Sequence, residues 1–459
     1  MNDMMNTLFL PELREMLEQK DTLELREFCT ALHPARTAEF MQGLTVDEAW
    51  QVLQFADPPL RAEIFHYFEI DHKIDSLRTQ QPGEVAELVA QMPSDDRVDL
   101  LSELDQPELD DLLERLPDED RREFLRLSQF PEGTAGAVLT TEVAKLAETL
   151  SVREAIEELG RVGDDVETIY YLYVVDDDDH LHGIVTARQL LTAFKHPETR
   201  LVDIMDRNVV TVGPLEDQEE VADKVARLDV LAIPVVDQQN RMLGIITHDD
   251  VIDVVRDEAT EDAHRSAAVE PLEETYLRTP ILTLSWKRGI WLGILFFFAL
   301  LTALALDQYE APFKTWVWLV PFIPLVISSG GNSGSQSATL VITALSRGHI
   351  SLKDWLEIVT RELAMGLVLG GGLALLGLAT ALFFVPADAG LGPAAFLIVP
   401  ITLLLVVLAG TLTGAMLPLL FEKLGWDPAM MSNPFVAGIV DILGVLIYVN
   451  VAIWFLGIP

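Results

Sequence analysis

The apolar residues of this chain gather into five long stretches, all beyond residue 288, and this more than anything limits how it can fold. They lie at about 289–306, 316–345, 363–385, 394–421 and 430–458. Each reaches the ~20 residues a helix needs to cross a bilayer, so the back part reads as an all-α membrane domain of five transmembrane helices. From residue 289 onward there are five basic residues (Lys314, Arg347, Lys353, Arg361, Lys423) and nine acidic ones. All but four of the 40 net negative charges therefore lie ahead of it. A strongly acidic soluble module is thus joined to a membrane module. Such a surface repels nucleic acid and anionic lipid and attracts cations.

The loops set the expected orientation. With the start inside, the inner flanks hold Lys287, Arg288, Arg347, Lys353, Arg361 and Lys423, and the outer flanks only Lys314. Basic residues favour the cytoplasmic side, which places the N-terminus inside and the C-terminus outside. No basic start followed by an apolar run opens the chain, so no signal peptide is expected. Cys29 is the only cysteine, which excludes disulfides and cysteine-bound zinc.

Residues 1–129 read as short amphipathic helices broken by proline. Met92-Pro93-Ser94-Asp95-Asp96-Arg97 recurs as Leu116-Pro117-Asp118-Glu119-Asp120-Arg121, 24 residues on, with weaker echoes at Pro34 and Pro58. Proline followed by acidic residues suits a helix start, and a fixed period of this size predicts an α-helical solenoid of helix pairs. Asp95 and Asp99 lie one turn apart and can face the same way.

A sharper repeat follows in residues 130–262. Leu172-Tyr173-Val174-Val175-Asp176 running on to Gly183-Ile184-Val185-Thr186 matches Ile233-Pro234-Val235-Val236-Asp237 running on to Gly244-Ile245-Ile246-Thr247, offset by 61 throughout. Each copy reads as strand, turn, strand and helix. The pattern resembles a tandem pair of CBS domains, an α/β fold, at about 137–198 and 202–258. Such pairs often bind adenine nucleotides through T-x-x-D. The second copy has it in Thr247 and Asp250. The first has Gln189 at the Asp position, beside Arg188, and an amide lacks the charged bidentate acceptor that holds ribose hydroxyls. ATP binding is therefore not expected. The run DDVIDVVRDEATED at 249–262 carries like charges three and four apart, which weaken a helix, and a divalent cation is the simplest compensation. Residues 263–288 are expected to form a connecting helix into the membrane.

The fifth span carries the chemistry. Asp441 has apolar residues for about two turns on either side, at a cost of about 2.5–3.5 kcal/mol, and such a carboxylate normally faces a cavity and marks an ion path. Asn433, Ala437 and Asp441 are four apart and share a helix face. Pro434 is expected to free a carbonyl one turn earlier. This all-oxygen lining suits a hard cation. The Ser-Gly-Asn stretch at 328–334 is expected to interrupt the second span and line a pore, and Gly410 and Gly414 to pack helices closely.

GGNSGSQSATL at 330–340, DPAMMSNPFVAGIVDILG at 427–444 and FPEGTAGAVLT at 130–140, in this domain order, resemble the MgtE family of magnesium channels. The resemblance implies a magnesium-selective channel of the bacterial inner membrane rather than an enzyme. It also implies a homodimer with a pore on the two-fold axis lined by spans two and five. Asp441 would bind hydrated magnesium there, Asn433 would select it, and Asp427 would stand at the mouth. Cytosolic magnesium would close the pore through Asp95, Asp99, Asp217, Glu219, Asp229, Asp250, Asp253, Glu258, Glu261 and Asp262. A secondary exchanger or a broader divalent cation transporter of the same fold is the alternative. A chloride channel, which also uses CBS pairs, is disfavoured by Asp441 and by the lack of a basic residue within the spans.

Overall fold

In a computed structural model of the chain, helices start at residues 22, 46, 70, 94 and 118, and between them at 34, 58, 82 and 106. The 24-residue period is thus a two-helix unit repeated through the whole N-terminal segment. The structure describes residues 10–163, 166–272, 276–277, 279–384 and 393–457. The solenoid helices are α1 (Leu10–Gln19), α2 (Thr22–Ala31), α3 (Pro34–Met41), α4 (Val46–Leu53) and α5 (Pro58–His66). They continue as α6 (Ile70–Thr79), α7 (Pro82–Val89), α8 (Ser94–Ser102), α9 (Gln106–Leu113) and α10 (Asp118–Leu127). Proline opens α3, α5 and α7, where its missing N–H costs nothing. Helices two places apart pack together along the row, α3 on α5, α4 on α6, α5 on α7, α6 on α8 and α8 on α10, and successive units share a continuous apolar core.

The α/β pair follows as β1 (Val143–Ala147), α11 (Val152–Val162), β2 (Thr168–Val175), β3 (Leu181–Thr186), α12 (Ala187–Ala193), α13 (Leu201–Ile204), α14 (Gln218–Leu228), β4 (Ala232–Val236), β5 (Met242–Thr247) and α15 (His248–Ser266). β1 pairs parallel with β2, and β2 antiparallel with β3. β4 and β5 repeat the β2–β3 hairpin at the same offset of 61: Tyr173 faces Ile184 as Pro234 faces Ile245, and the register slips after Val174 as it does after Val235. Val212 adds a parallel bridge to Val235, the counterpart of β1.

The chain forms two compact units, the first ending at Arg256 and the second beginning at Asp257. In the second unit, α16 (Ile281–Gln308) and α17 (Glu310–Thr315) lead to a 3-10 turn and α18 (Ile323–Ser346). Then come α19 (Trp355–Phe384), α20 (Ile398–Lys423) and α21 (Asn433–Leu456). By length and composition α16, α19, α20 and α21 suffice to cross a membrane. α18 is as long as α21 at 24 residues, but its Ser, Gly and Asn residues make it the most polar of the five.

Three expectations are corrected. Residues 263–288 are not one connecting helix. α15 stops at Ser266, Ala268 turns into the left-handed region at φ 58°, Pro271 follows, and Pro280 stands just before the start of α16. The Ser-Gly-Asn stretch does not interrupt α18, which runs through it unbroken. And Pro434 frees no carbonyl, because it sits in the first turn of α21.

Candidate ion site in the membrane helices

Glycine lets α18 lie in backbone contact with α20. A Cβ on Gly334 would stand 3.1 Å from the Gly410 carbonyl oxygen, one on Gly410 would stand 2.6 Å from that of Gly330, and one on Gly414 would overlap the Gly334 backbone. Small residues at such spacing are how membrane helices approach closely, and the packing role expected for Gly410 and Gly414 is what they perform. The glycines at 330 and 334 pack in the same way, against α20 and Val436 and Val440 of α21.

What remains on the outer side of α18 is polar. Ser328, Asn332, Gln336, Thr339 and Thr343 are all exposed, and their spacing of three or four residues puts them on one face. α21 lies beside this stripe. The Thr339 hydroxyl donates to Asn433 Oδ1 at 3.0 Å, and the Ser335 hydroxyl to the Asn433 carbonyl at 3.0 Å. Two turns deeper, about 12 Å along the helix, Asp441 Oδ1 faces Gly331, where a Cβ would lie 3.3 Å away. Ala437 lies beside it at 3.4 Å. Among the described residues Asp441 is half-buried and has no hydrogen-bond or ion-pair partner. The structure thus brings Asn433, Ala437 and Asp441 together with the α18 stripe.

Sequence reasoning passed over Glu362. It lies one residue before the apolar stretch at 363–385, but α19 begins at Trp355 and carries it into the bundle, where it is 5% exposed. Ser337 of α18 donates to it at 2.7 Å. The GGNSGSQSATL motif contained its partner, but nothing local linked the two.

Near the start of the second unit, Arg265 pairs with both Glu261 and Asp427. Asp427 also accepts the Ala429 N–H at 2.7 Å, so it is held in place and half-buried rather than a free carboxylate at an open mouth. Burial, and then the charges of Asp427 and Glu258, raise the Asp262 pKa against the pull of Arg265.

In the first unit, α8 of the solenoid and α15 of the α/β pair bring Asp95, Asp96 and Asp99 near Asp249 and Asp250, with Glu167 at the head of β2. Asp95 Oδ1 is buried and, among the described residues, has no hydrogen-bond partner. Burial, reinforced by Asp250 and Asp96, pushes its pKa well above the usual carboxylate range. Asp99 rises to about 6 for the same reasons in the same order of burial before charge, although its tip reaches solvent. Asp250 rises to about 6 and Glu167 to about 7, through burial of the carboxyl and then like charge, although Glu167 as a whole residue is exposed. Lys73 and His66 supply the nearby positive groups, His66 Nδ1 lying 2.7 Å from Asp96. Among the described residues no three His, Cys, Asp or Glu side chains converge into a metal cage.

The other predicted acidic positions are spread out. Asp217 caps α14, accepting from the Glu219 N–H at 2.9 Å. Asp229 ends that helix at φ 52°, and Asp253 pairs with Arg256 at 3.2 Å. In the two T-x-x-[DQ] motifs, Gln189 Oε1 accepts from the Thr186 N–H and hydroxyl at 2.7 and 2.9 Å. Asp250 does the same for Thr247. Arg188 is exposed.

An apolar helical bundle with a polar stripe and a carboxylate that is unpaired among the described residues, preceded in the chain by a helical solenoid and a CBS pair, marks a membrane transporter of cations. Family models agree domain by domain. That of the MgtE divalent cation transporters matches residues 323–451, that of the MgtE intracellular N domain residues 32–133, and that of the CBS domain residues 135–196 and 201–257. The magnesium transporter MgtE of Thermus thermophilus is 39% identical over 326 residues, 71% of each chain. That of Enterococcus faecalis is 35% identical over 334 residues, 73% of this chain and 72% of its own. A crystal structure of the soluble part of a magnesium transporter superposes with a TM-score of 0.52 at 35% identity, covering 55% of this chain and 99% of that one. The cytosolic domain of the Mg2+ channel MgtE in complex with ATP gives 0.49 at 34% identity, over 53% and 98%. The chain belongs to the MgtE family.

Proposed function

We propose that this protein is a magnesium-selective channel that admits Mg2+ through the bacterial inner membrane and closes when Mg2+ accumulates inside. The observation that carries the reading is the unpaired Asp441 carboxylate on the polar face shared by α18 and α21. A charge and a stripe of hydroxyls and amides at membrane depth are not left against lipid. A second copy of the chain, meeting this one along the stripe, would enclose them around a two-fold axis. Two Asp441 side chains then hold the cation, and Asn433, fixed by Thr339, stands about 12 Å nearer the start of the helix. Mg2+ dehydrates reluctantly, so the site takes the ion through its water shell, with Asn433 admitting it by size and hydrogen bonding. The relatives above are named magnesium transporters, which supports magnesium as the cargo.

The N-terminus and the acidic unit lie on the cytosolic side, and the C-terminus outside, as the flanking charges require. At low internal Mg2+ the carboxylates within each of two groups repel one another: Asp95, Asp99 and Asp250 in the first unit, and Glu258, Glu261, Asp262 and Asp427 in the second. Hydrated Mg2+ bound within either group favours the closed state by its differential affinity. Asp217, Glu219, Asp229 and Asp253 add to the attraction for cations.

The test is Mg2+ flux into liposomes against Ca2+, Mn2+ and Co2+, with and without Mg2+ on the sensor side. Replacing Asp95 and Asp99 with Ala and Glu258 and Glu261 with Gln should leave conduction intact and raise the closing concentration. Closure at the parent's concentration would assign these residues to solvated surface. Flux that requires a counter-ion gradient would favour the exchanger.

A further inference from the structure

One carboxylate outside the acidic cluster sits at the junction of the solenoid and the α/β pair, where Ser94 also accepts from the Thr141 N–H at 2.9 Å and hydroxyl at 3.2 Å. Glu142, just ahead of β1, accepts four hydrogen bonds on Oε2. They come from the Thr140 hydroxyl at 2.6 Å, the Ser94 hydroxyl at 2.8 Å, the Thr141 N–H at 3.1 Å and the Ser94 N–H at 3.3 Å. Two of the donors belong to Ser94, the first residue of α8. The residue before it is Pro93, whose side chain can cap nothing, so α8 begins with unsatisfied N–H groups. Glu142 supplies from another domain the acceptor that a local cap would give, and a negative charge there also suits the helix dipole. Ser94 and Thr140 are 1% and 0% exposed, so these bonds are made away from water. Thr140 is tied in turn to β5 by paired backbone bonds with Ile245 at 2.8 and 2.9 Å. Thr141 reaches α10 by donating its hydroxyl to Glu123.

Asp95 comes next in the chain after Ser94, and its buried Oδ1 is unpartnered and set against Asp250. A clamp therefore adjoins a repulsion. We propose that Glu142 is a positioning residue for cytosolic Mg2+ sensing: it pins the start of α8 to the α/β pair so that Asp95 and Asp99 stay opposite Asp250, ready to share a hydrated divalent cation. Without it the like charges separate, and the ion has to bring them back together before it can bind. The proposal rests on the magnesium-gating reading above.

The experiment uses the full-length protein in liposomes, with Glu142→Ala and Glu142→Gln compared with the parent. Glu142→Ala removes the acceptor of four bonds and should raise the internal Mg2+ needed for closure about tenfold. Glu142→Gln keeps one acceptor oxygen and loses the charge, and should fall between. Conduction with no internal Mg2+ should stay at the parental level in both. A purely structural role would lower the unfolding temperature and leave the closing concentration unchanged, and that result would overturn the proposal. A second readout does not depend on gating. In Mg2+-free buffer, a Glu-specific protease should cut at the exposed Glu132 faster in Glu142→Ala than in the parent, and equal rates would refute the clamp. Should Glu142→Ala fail to fold, Thr141→Val and Glu142→Gln carry both measurements. If the parent itself ignores internal Mg2+, the gating reading fails, and the protease result decides the clamp alone.

Discussion

Replacing Asp441 with Asn keeps the side chain's size and removes its charge. Folding should survive, because among the described residues no cation or donor bonds to Asp441, so none is stranded. Relief from holding a carboxylate at membrane depth is worth up to about 2.5–3.5 kcal/mol and should leave the variant no less stable than the parent. Transport behaves differently. A divalent cation held through one water layer stands about 5 Å from each carboxylate. At the dielectric of bulk water each would attract it by about 1.7 kcal/mol, and at an effective value of about 20 by about 6.6 kcal/mol. Even the lower figure exceeds the 1.4 kcal/mol that corresponds to tenfold. The expected result is therefore at least a tenfold loss of Mg2+ flux per carboxylate, close to background with both gone. The assay is Mg2+ uptake into liposomes at matched protein content, with Asp441→Glu intermediate because its charge is shifted by one methylene. Flux within threefold of the parent in Asp441→Asn would place the ion path elsewhere and undo the reasoning.

Arg265→Gln should free Glu261 and Asp427 and lower the Mg2+ concentration for closure several-fold, seen in the same flux assay; a rise would mean the guanidinium stabilises the closed state. The raised pKa values of Asp95, Asp99, Asp250 and Glu167 mean that the folded state holds protons the unfolded chain releases near pH 4. By linkage, stability of the Mg2+-free protein should fall as pH rises above about 4 and these carboxyls lose their protons. Mg2+ should flatten that slope, as thermal unfolding in EDTA and in Mg2+ would show. With Gln189 engaged in capping α12, calorimetry on the full-length protein should find no saturable sub-millimolar ATP binding, and Gln189→Asp should strengthen whatever binding there is. Tight binding by the parent would point to Asp250 as a sufficient ribose contact.

Local chemistry was legible along the chain wherever it repeats or stands out from its surroundings. Proline and acidic starts spaced by 24 residues encoded the helix pairs, because caps and first turns depend on neighbours in sequence. The offset of 61 encoded two matching hairpins down to their shared slip in register. An Asp two turns from any other polar residue along the chain stood out as a candidate, because a carboxylate among apolar residues is costly at membrane depth. Tertiary structure decided everything that joins distant residues. Six glycines and serines around Asn332 at 328–334 read as a break, yet the helix persists, because Gly410 and Gly414, about 80 residues on, offer their backbone for close packing. Glu362 meets Ser337, and Arg265 meets Asp427, 162 residues away. Asp95 comes near Asp250 where Ser94 and Glu142 join α8 to the α/β pair. Such pairings depend on which surfaces meet after the helices have formed, and no periodicity within either segment carries that information.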